Sequence, residues 1–137
     1  SACGPPISKK VMATVDPGRP FSVVIENPKA YIGSVVVWGG VIEKYDPVPG
    51  GTRLMVMQCP VDEKGIPQMD ATYGEFVAHT PDSLNPREFR KGMVITLAGM
   101  VDGVEEEEIG PQRIPRPLIR IIEIHSLDER PGILRRR

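Results

Sequence analysis

At 137 residues the chain fits one domain and is long enough to bury a real core. Hydrophobic residues make up 40% and charged residues 26%, with a formal net charge of −1, so no strong overall field draws the surface to nucleic acid or anionic lipid. No run of about 20 apolar residues occurs, so no segment reads as a membrane-spanning helix.

The chain opens Ser1-Ala2-Cys3-Gly4. Small, small, Cys, Gly is the pattern left around the cleavage point of a bacterial lipoprotein signal peptide. Cys3 is therefore the expected lipidation site. An acylated Cys3 has no thiol left to pair with Cys59, the other cysteine. Cys59 sits in the apolar run Leu54 to Val61 and is expected to be a small buried hydrophobe. Residues 1–19 hold Pro5, Pro6, Pro17 and Gly18 with little periodicity, and read as an N-terminal tether. A short helical turn is expected from Pro20 or Ser22, ended by Asn27-Pro28. It would place Phe21, Val24, Ile25 and Tyr31 over one end of the domain.

Strand-like runs follow. The first, Gly33 to Lys44, is rich in β-branched residues, and Gly39-Gly40 within it suggests a bulge or sharp coil. The second is Thr52 to Pro60, reached through the turn Tyr45 to Gly51. A loop around Gly65 precedes the third, Tyr73 to His79. Asn85 as N-cap, Pro86 as first helical residue and Gly92 as stop predict a helix of barely two turns. The fourth run is Met93 to Gly103. The acidic stretch Val104 to Gly110 and a stretch broken by Pro111, Pro115 and Pro117 read as a loop before the fifth run, Leu118 to His125. With 15 prolines, 14 glycines and no long helical pattern, the chain reads as all-β. Five strands with one short helix between strands 3 and 4 is the order of an OB-like Greek-key barrel, whose long first strand coils around glycine. The barrel is expected over residues 20–128, followed by a polar tail at 129–137.

Chemistry is sparse. His79 and His125 each end a strand without the close ligand spacing of a metal site, so no metal and no cofactor are expected. No G-x-S-x-G, H-E-x-x-H, P-loop or G-x-G-x-x-G motif occurs, and no catalytic residue is assigned. Glu105 to Glu108 lack the alternating ligands and glycine of a calcium loop and read as solvated. Placed between strands 4 and 5 they would repel phosphates. With aromatics at 5% of the chain, few remain for base stacking, and nucleic acid is not expected as a partner. Strand alternation groups Val36, Trp38 and Ile42 on one face and Val35, Val37 and Val41 on the other. Both faces are apolar, so either the N-terminal segment or a partner covers the outer one. Val36, Trp38 and Ile42, with Met55 and Met57, form the candidate binding surface.

Taken together, GSVVVWGGVIEKYDP, TRLMVMQCPVDEKGIPQ, GEFVAH with SLNPREFRKG, ITLAGMVDG and IGPQRIPRPLIRIIEIHSLD resemble the Slp family of outer-membrane lipoproteins. The shared pattern is V-x-W-G-G-x-I, P-x-D-x-x-G-x-P and L-x-P-x-x-[FY]-x-x-G over most of residues 20 to 128. The resemblance implies a lipidated Cys3 and attachment to the outer membrane of Gram-negative bacteria, facing the periplasm. It also suggests a setting in envelope stress or starvation, and carries over no catalytic residues. The expected role is non-enzymatic: structural, or binding a protein partner or a second copy. A small-ligand or glycan-binding module is the alternative.

Overall fold

The computed structural model describes residues 7–60, 62, 68 and 74–127. Five strands carry the fold: β1 (Val35–Val48), β2 (Gly51–Cys59), β3 (Glu75–Thr80), β4 (Val94–Ile109) and β5 (Gln112–Ser126). They close a barrel in the order β1-β2-β3-β5-β4, with β3 and β5 parallel and the other pairs antiparallel. This is the OB-type order expected from the strand pattern.

Closure requires β1 to serve two neighbours. Gly39, Gly40 and Val41 each pair with β2 on one side and β4 on the other. A Cβ on Gly40 would lie 2.2 Å from the Met57 carbonyl oxygen and 2.7 Å from Val56 Cγ1. Glycine is needed there for close approach of the backbones. The bulge expected at Gly39-Gly40 falls instead at Glu43, where the register shifts between Ile42 and Lys44.

Inward-facing Val36, Trp38, Ile42, Leu54, Val56, Phe76, Ala78, Ile95, Leu97, Val101 and Ile119 fill the barrel. The helical turn α2 (Phe21–Val24) starts at Pro20 as expected and adds Phe21 and Val24 to this core, with Ile25 and Tyr31 packed against it. Phe21 meets Trp38 edge-on at 5.0 Å between ring centroids, and Trp38 meets Phe76 at 5.3 Å. Such edge-to-face contacts stabilise beyond area burial.

Two expected elements take another form. The helix at Asn85–Gly92 is a single turn. Its cap is present, Asn85 Oδ1 accepting from Arg87 N–H at 2.9 Å, and Phe89 N–H reaches Asn85 O at 3.1 Å. So few residues before Gly92 do not repay the cost of nucleating a helix. The expected loop from Val104 through the prolines is not a loop. β4 and β5 run on as one hairpin, paired from Gly103↔Leu118 out to Ile109↔Gln112, with Gly110-Pro111 as the turn. Pro115 and Pro117 are two residues apart, so their missing donors fall on one side of the strand, the tolerated place for proline.

Of the tether expected over residues 1–19, residues 7–19 lie against the barrel. Ile7 is 4% exposed. Asp16 N–H donates to Val35 O at 2.9 Å, and Asp16 Oδ2 accepts from Val35 N–H at 2.8 Å. Residues 1–6, which include Cys3, and the expected tail at 129–137 lie outside the described residues.

Candidate functional site

The candidate binding surface drawn from β1 needs correction. Val36 (1% exposed), Trp38 (3%) and Ile42 (0%) point into the core and cannot meet a partner. Trp38 even spends its indole N–H on Arg19 O at 3.2 Å. These three residues do share one face of β1, and that face is the inner one. Met55 and Met57 do face outward, half-buried, because they alternate with core residues Leu54 and Val56. The outer side of β1 is met by the N-terminal segment: Val35 through Asp16, and Val37 across a cleft of about 190 Å³ whose walls include Pro20, Phe21 and Ser22.

What surrounds Met55 and Met57 is built from charge. The outer sides of β2 and β3 carry Arg53, Met55 and Met57, then Glu75, Val77 and His79. The distal β4–β5 hairpin, residues 103–117, forms an arm held to this face by ion pairs. Arg53 pairs with Glu105. Arg116 donates through Nε at 2.9 Å and Nη2 at 2.7 Å to Glu75 Oε1, and also pairs with Glu107. At the root of the arm, His79 Nε2 lies 3.0 Å from Asp102 Oδ2. Asp102 is the extra residue of a bulge between Val101 and Gly103, a device that re-aims a side chain. Val77 alternates with core residues Phe76 and Ala78 and so faces outward, yet it is 0% exposed.

Strand alternation sorts the glutamates. Glu105 and Glu107 meet Arg53 and Arg116, while Glu106 and Glu108 meet Arg113 at 3.3 and 3.2 Å. The acidic run is therefore neutralised locally rather than presented bare. Phosphate repulsion by four unmatched glutamates does not hold as a ground against nucleic acid.

Glu43, released outward by the β1 bulge, joins the cluster. Its hydrogen bond to Glu75, then burial, push its pKa up to about 7, while Arg116 pulls the other way. The same bond from Glu43, with Arg116 adding to it, holds Glu75 below the usual carboxylate range. The two carboxylates thus differ in acidity although they lie together next to a guanidinium that is nearly buried. On the opposite side of the barrel, His125 Nε2 at 2.6 Å, then Ser8, hold Glu123 below the usual range. Cys59 is 2% exposed, as expected for a small core residue. Among the described residues no group of three His, Cys, Asp or Glu is placed to hold a metal. A cleft of about 130 Å³ lies beside Met55, lined by Lys44, Asp46, Arg53, Leu54 and Val77. Among the described residues no helix is long and apolar enough to cross a membrane.

The fold and surface described so far are those of a small OB-type barrel with a charged arm. The outer membrane lipoprotein Slp family matches residues 1–131, and the chain belongs to that family. It is 28% identical over 88 residues to the uncharacterized lipoprotein YeaY of Escherichia coli (strain K12). The aligned stretch is 64% of this chain and 45% of that relative, so the chain spans less than half of it. Among solved structures, it is similar to a small single-stranded DNA-binding protein of Streptomyces coelicolor. The TM-score is 0.47 at 12% identity, covering 70% of this chain and 96% of that one. It is also similar to a mitochondrial single-stranded DNA-binding protein of S. cerevisiae, with a TM-score of 0.39 at 14% identity, covering 69% and 95%.

Proposed function

We propose that this outer-membrane lipoprotein faces the periplasm and works by binding a protein, without enzymatic turnover, through the outer face of β2 and β3 and the arm beside it. The observation that carries this reading is Met55 and Met57, half-exposed beside Arg53 and framed by ion pairs. Methionine and arginine are enriched in protein interfaces, and an apolar centre with a charged rim is their usual anatomy. Among the described residues, the clefts beside Trp38 and Met55, about 190 and 130 Å³, are smaller than the roughly 300–1,000 Å³ of a small-ligand site, which favours a protein partner there. Aromatic side chains for stacking bases are missing from the described outer face of β2 and β3.

The test is a photo-crosslinking residue placed in living cells at Met57, with Ser83 as an exposed control. A discrete adduct from position 57 alone, lost when Arg53→Glu is added, is the expected result. Equal adducts from both positions, or none from position 57, would remove this face from the reading. Orientation is read separately with Gln112→Cys and a membrane-impermeant maleimide. Labelling should require permeabilisation of the outer membrane, and labelling in intact cells would place the domain outside.

A further inference from the structure

The N-terminal segment docks so early that it limits how far the barrel can stand from its anchor. Ile7 is buried, and Ser8 donates to Glu123 twice, from its backbone N–H at 2.9 Å and its hydroxyl at 2.8 Å. Only four residue steps separate Cys3 from Ile7. Whatever path the chain takes, their Cα atoms lie no more than about 14 Å apart. An acylated cysteine sits at the bilayer interface, whose polar layer is itself about 5–8 Å deep. An acyl anchor at Cys3 therefore holds the domain within a short reach of that interface.

The surface around the docking point fits a lipid neighbour. β5 carries a bulge here: Ile121 pairs with Gly99 and Glu123 with Ala98, leaving Ile122 as the extra residue. It is pushed outward to 44% exposure. Met12, which closes the short helix α1 (Lys9–Met12) directly after Ser8, is 39% exposed. Lys9 and Lys10 lie on the same short helix as Met12, and Arg120 lies two residues before Ile122 on β5; all three are exposed. None of the three is in an ion pair among the described residues. The nearby acid, Glu123, is already engaged by Ser8 and His125. Isolated exposed apolar residues are ordinary, but two of them beside unpaired cations at the anchor point form the pattern of an interfacial contact.

We propose that the anchored barrel lies on the phospholipid surface through α1 and the middle of β5, with Met12 and Ile122 entering the interface and Lys9, Lys10 and Arg120 meeting headgroup phosphates. This rests on the reading of Cys3 as the acylated residue. It gives the lipid anchor a second, protein-borne contact and fixes the direction of the barrel. Gln112, at the arm's tip, is up to about 33 Å of strand from Ile122, far from the proposed contact. The β2–β3 face is left free for a partner.

The test uses the full acylated protein, extracted from cells and inserted into vesicles of phosphatidylethanolamine and phosphatidylglycerol. Met12→Cys, Ile122→Cys and Gln112→Cys each carry a fluorophore, and quenching by nitroxide-bearing lipids is measured. Buried Cys59 and acylated Cys3 do not take the label. Mass spectrometry of the same samples reads the acyl chains on Cys3. Quenching several-fold stronger at positions 12 and 122 than at 112 is the expected result. Equal, weak quenching at all three positions on an acylated protein would overturn the docked orientation and leave the anchor standing. An unmodified Cys3 would overturn both.

Discussion

On one side of the barrel, residues 7–19 are bonded to β1 and β5; on the other, the 103–117 arm is paired with β2 and β3. Thr96 and Ala98 on β4 and Val77 on β3 alternate with core residues and face outward, yet all three are 0% exposed. The means differ. The N-terminal cover combines a buried isoleucine and a main-chain bond from Asp16 to Val35 with carboxylate acceptors, Asp16 for the Val35 N–H and Glu123 for Ser8, and none of its cations is in an ion pair among the described residues. The arm is held by guanidinium–carboxylate and histidine–carboxylate pairs. Apolar burial and backbone bonds respond weakly to salt and pH, whereas ion pairs at partly exposed sites respond to both. The arm, held by ion pairs, is therefore the more salt-sensitive of the two covers.

The comparison breaks down altogether if the shared barrel fails. Gly40→Val puts carbon into backbone space at the seam of β1 and β2, and should cost about 3 kcal/mol or more by denaturant unfolding. A loss under about 1 kcal/mol would mean that the seam tolerates side chains. Next comes the arm. Arg116→Ala leaves Glu75 and Glu107 without their cation. Breaking a buried pair costs about 3–5 kcal/mol, and the partial exposure of both carboxylates reduces this to roughly 2–3 kcal/mol, less in high salt. Ile7→Ala should cost about 2 kcal/mol and show the same cost at low and high salt. If both losses changed alike with salt, the two covers would not differ in kind.

The smallest effect is in pH. Glu43 has its folded pKa raised from 4.5 to about 7, so its contribution to stability is complete below pH 4.5 and is lost as pH rises through about 7. Glu75 runs the other way: its contribution is present above pH 4.5 and is lost as pH falls through its depressed value. Glu43→Gln keeps a neutral donor to Glu75 at every pH. It should match the wild type near pH 4.5 and melt higher than it above pH 7. Melting profiles that stay parallel across that window would show that the pKa of Glu43 is not raised.

Much of the fold was legible from residue order. Runs of β-branched residues, the proline before Phe21 and the Asn85 cap each act over a few residues, and each is found where expected, while the bulge expected at the glycine pair falls at Glu43. The arm was missed because glutamates and prolines both argue locally against a strand. The signal was present in Gly110-Pro111, a two-residue turn setting Glu108 against Arg113 and Glu105 against Arg116. Only pairing across that turn makes alternation of charge visible. The candidate surface failed at Val36, Trp38 and Ile42 for a related reason. Alternation says which residues share a face, while closure of the barrel says which face is inside.

The amino-acid sequence by itself determined the family, the strand count and the place of Gly40, because these depend on spacing and on intrinsic backbone preference. Tertiary structure alone decided which apolar face was buried, that Glu43 and Glu75 meet beside Arg116, and that residues 7–19 lie against the barrel. Those outcomes arise from groups far apart in the chain, such as Ser8 with Glu123 and Arg53 with Glu105, whose energies exist only once the barrel has closed.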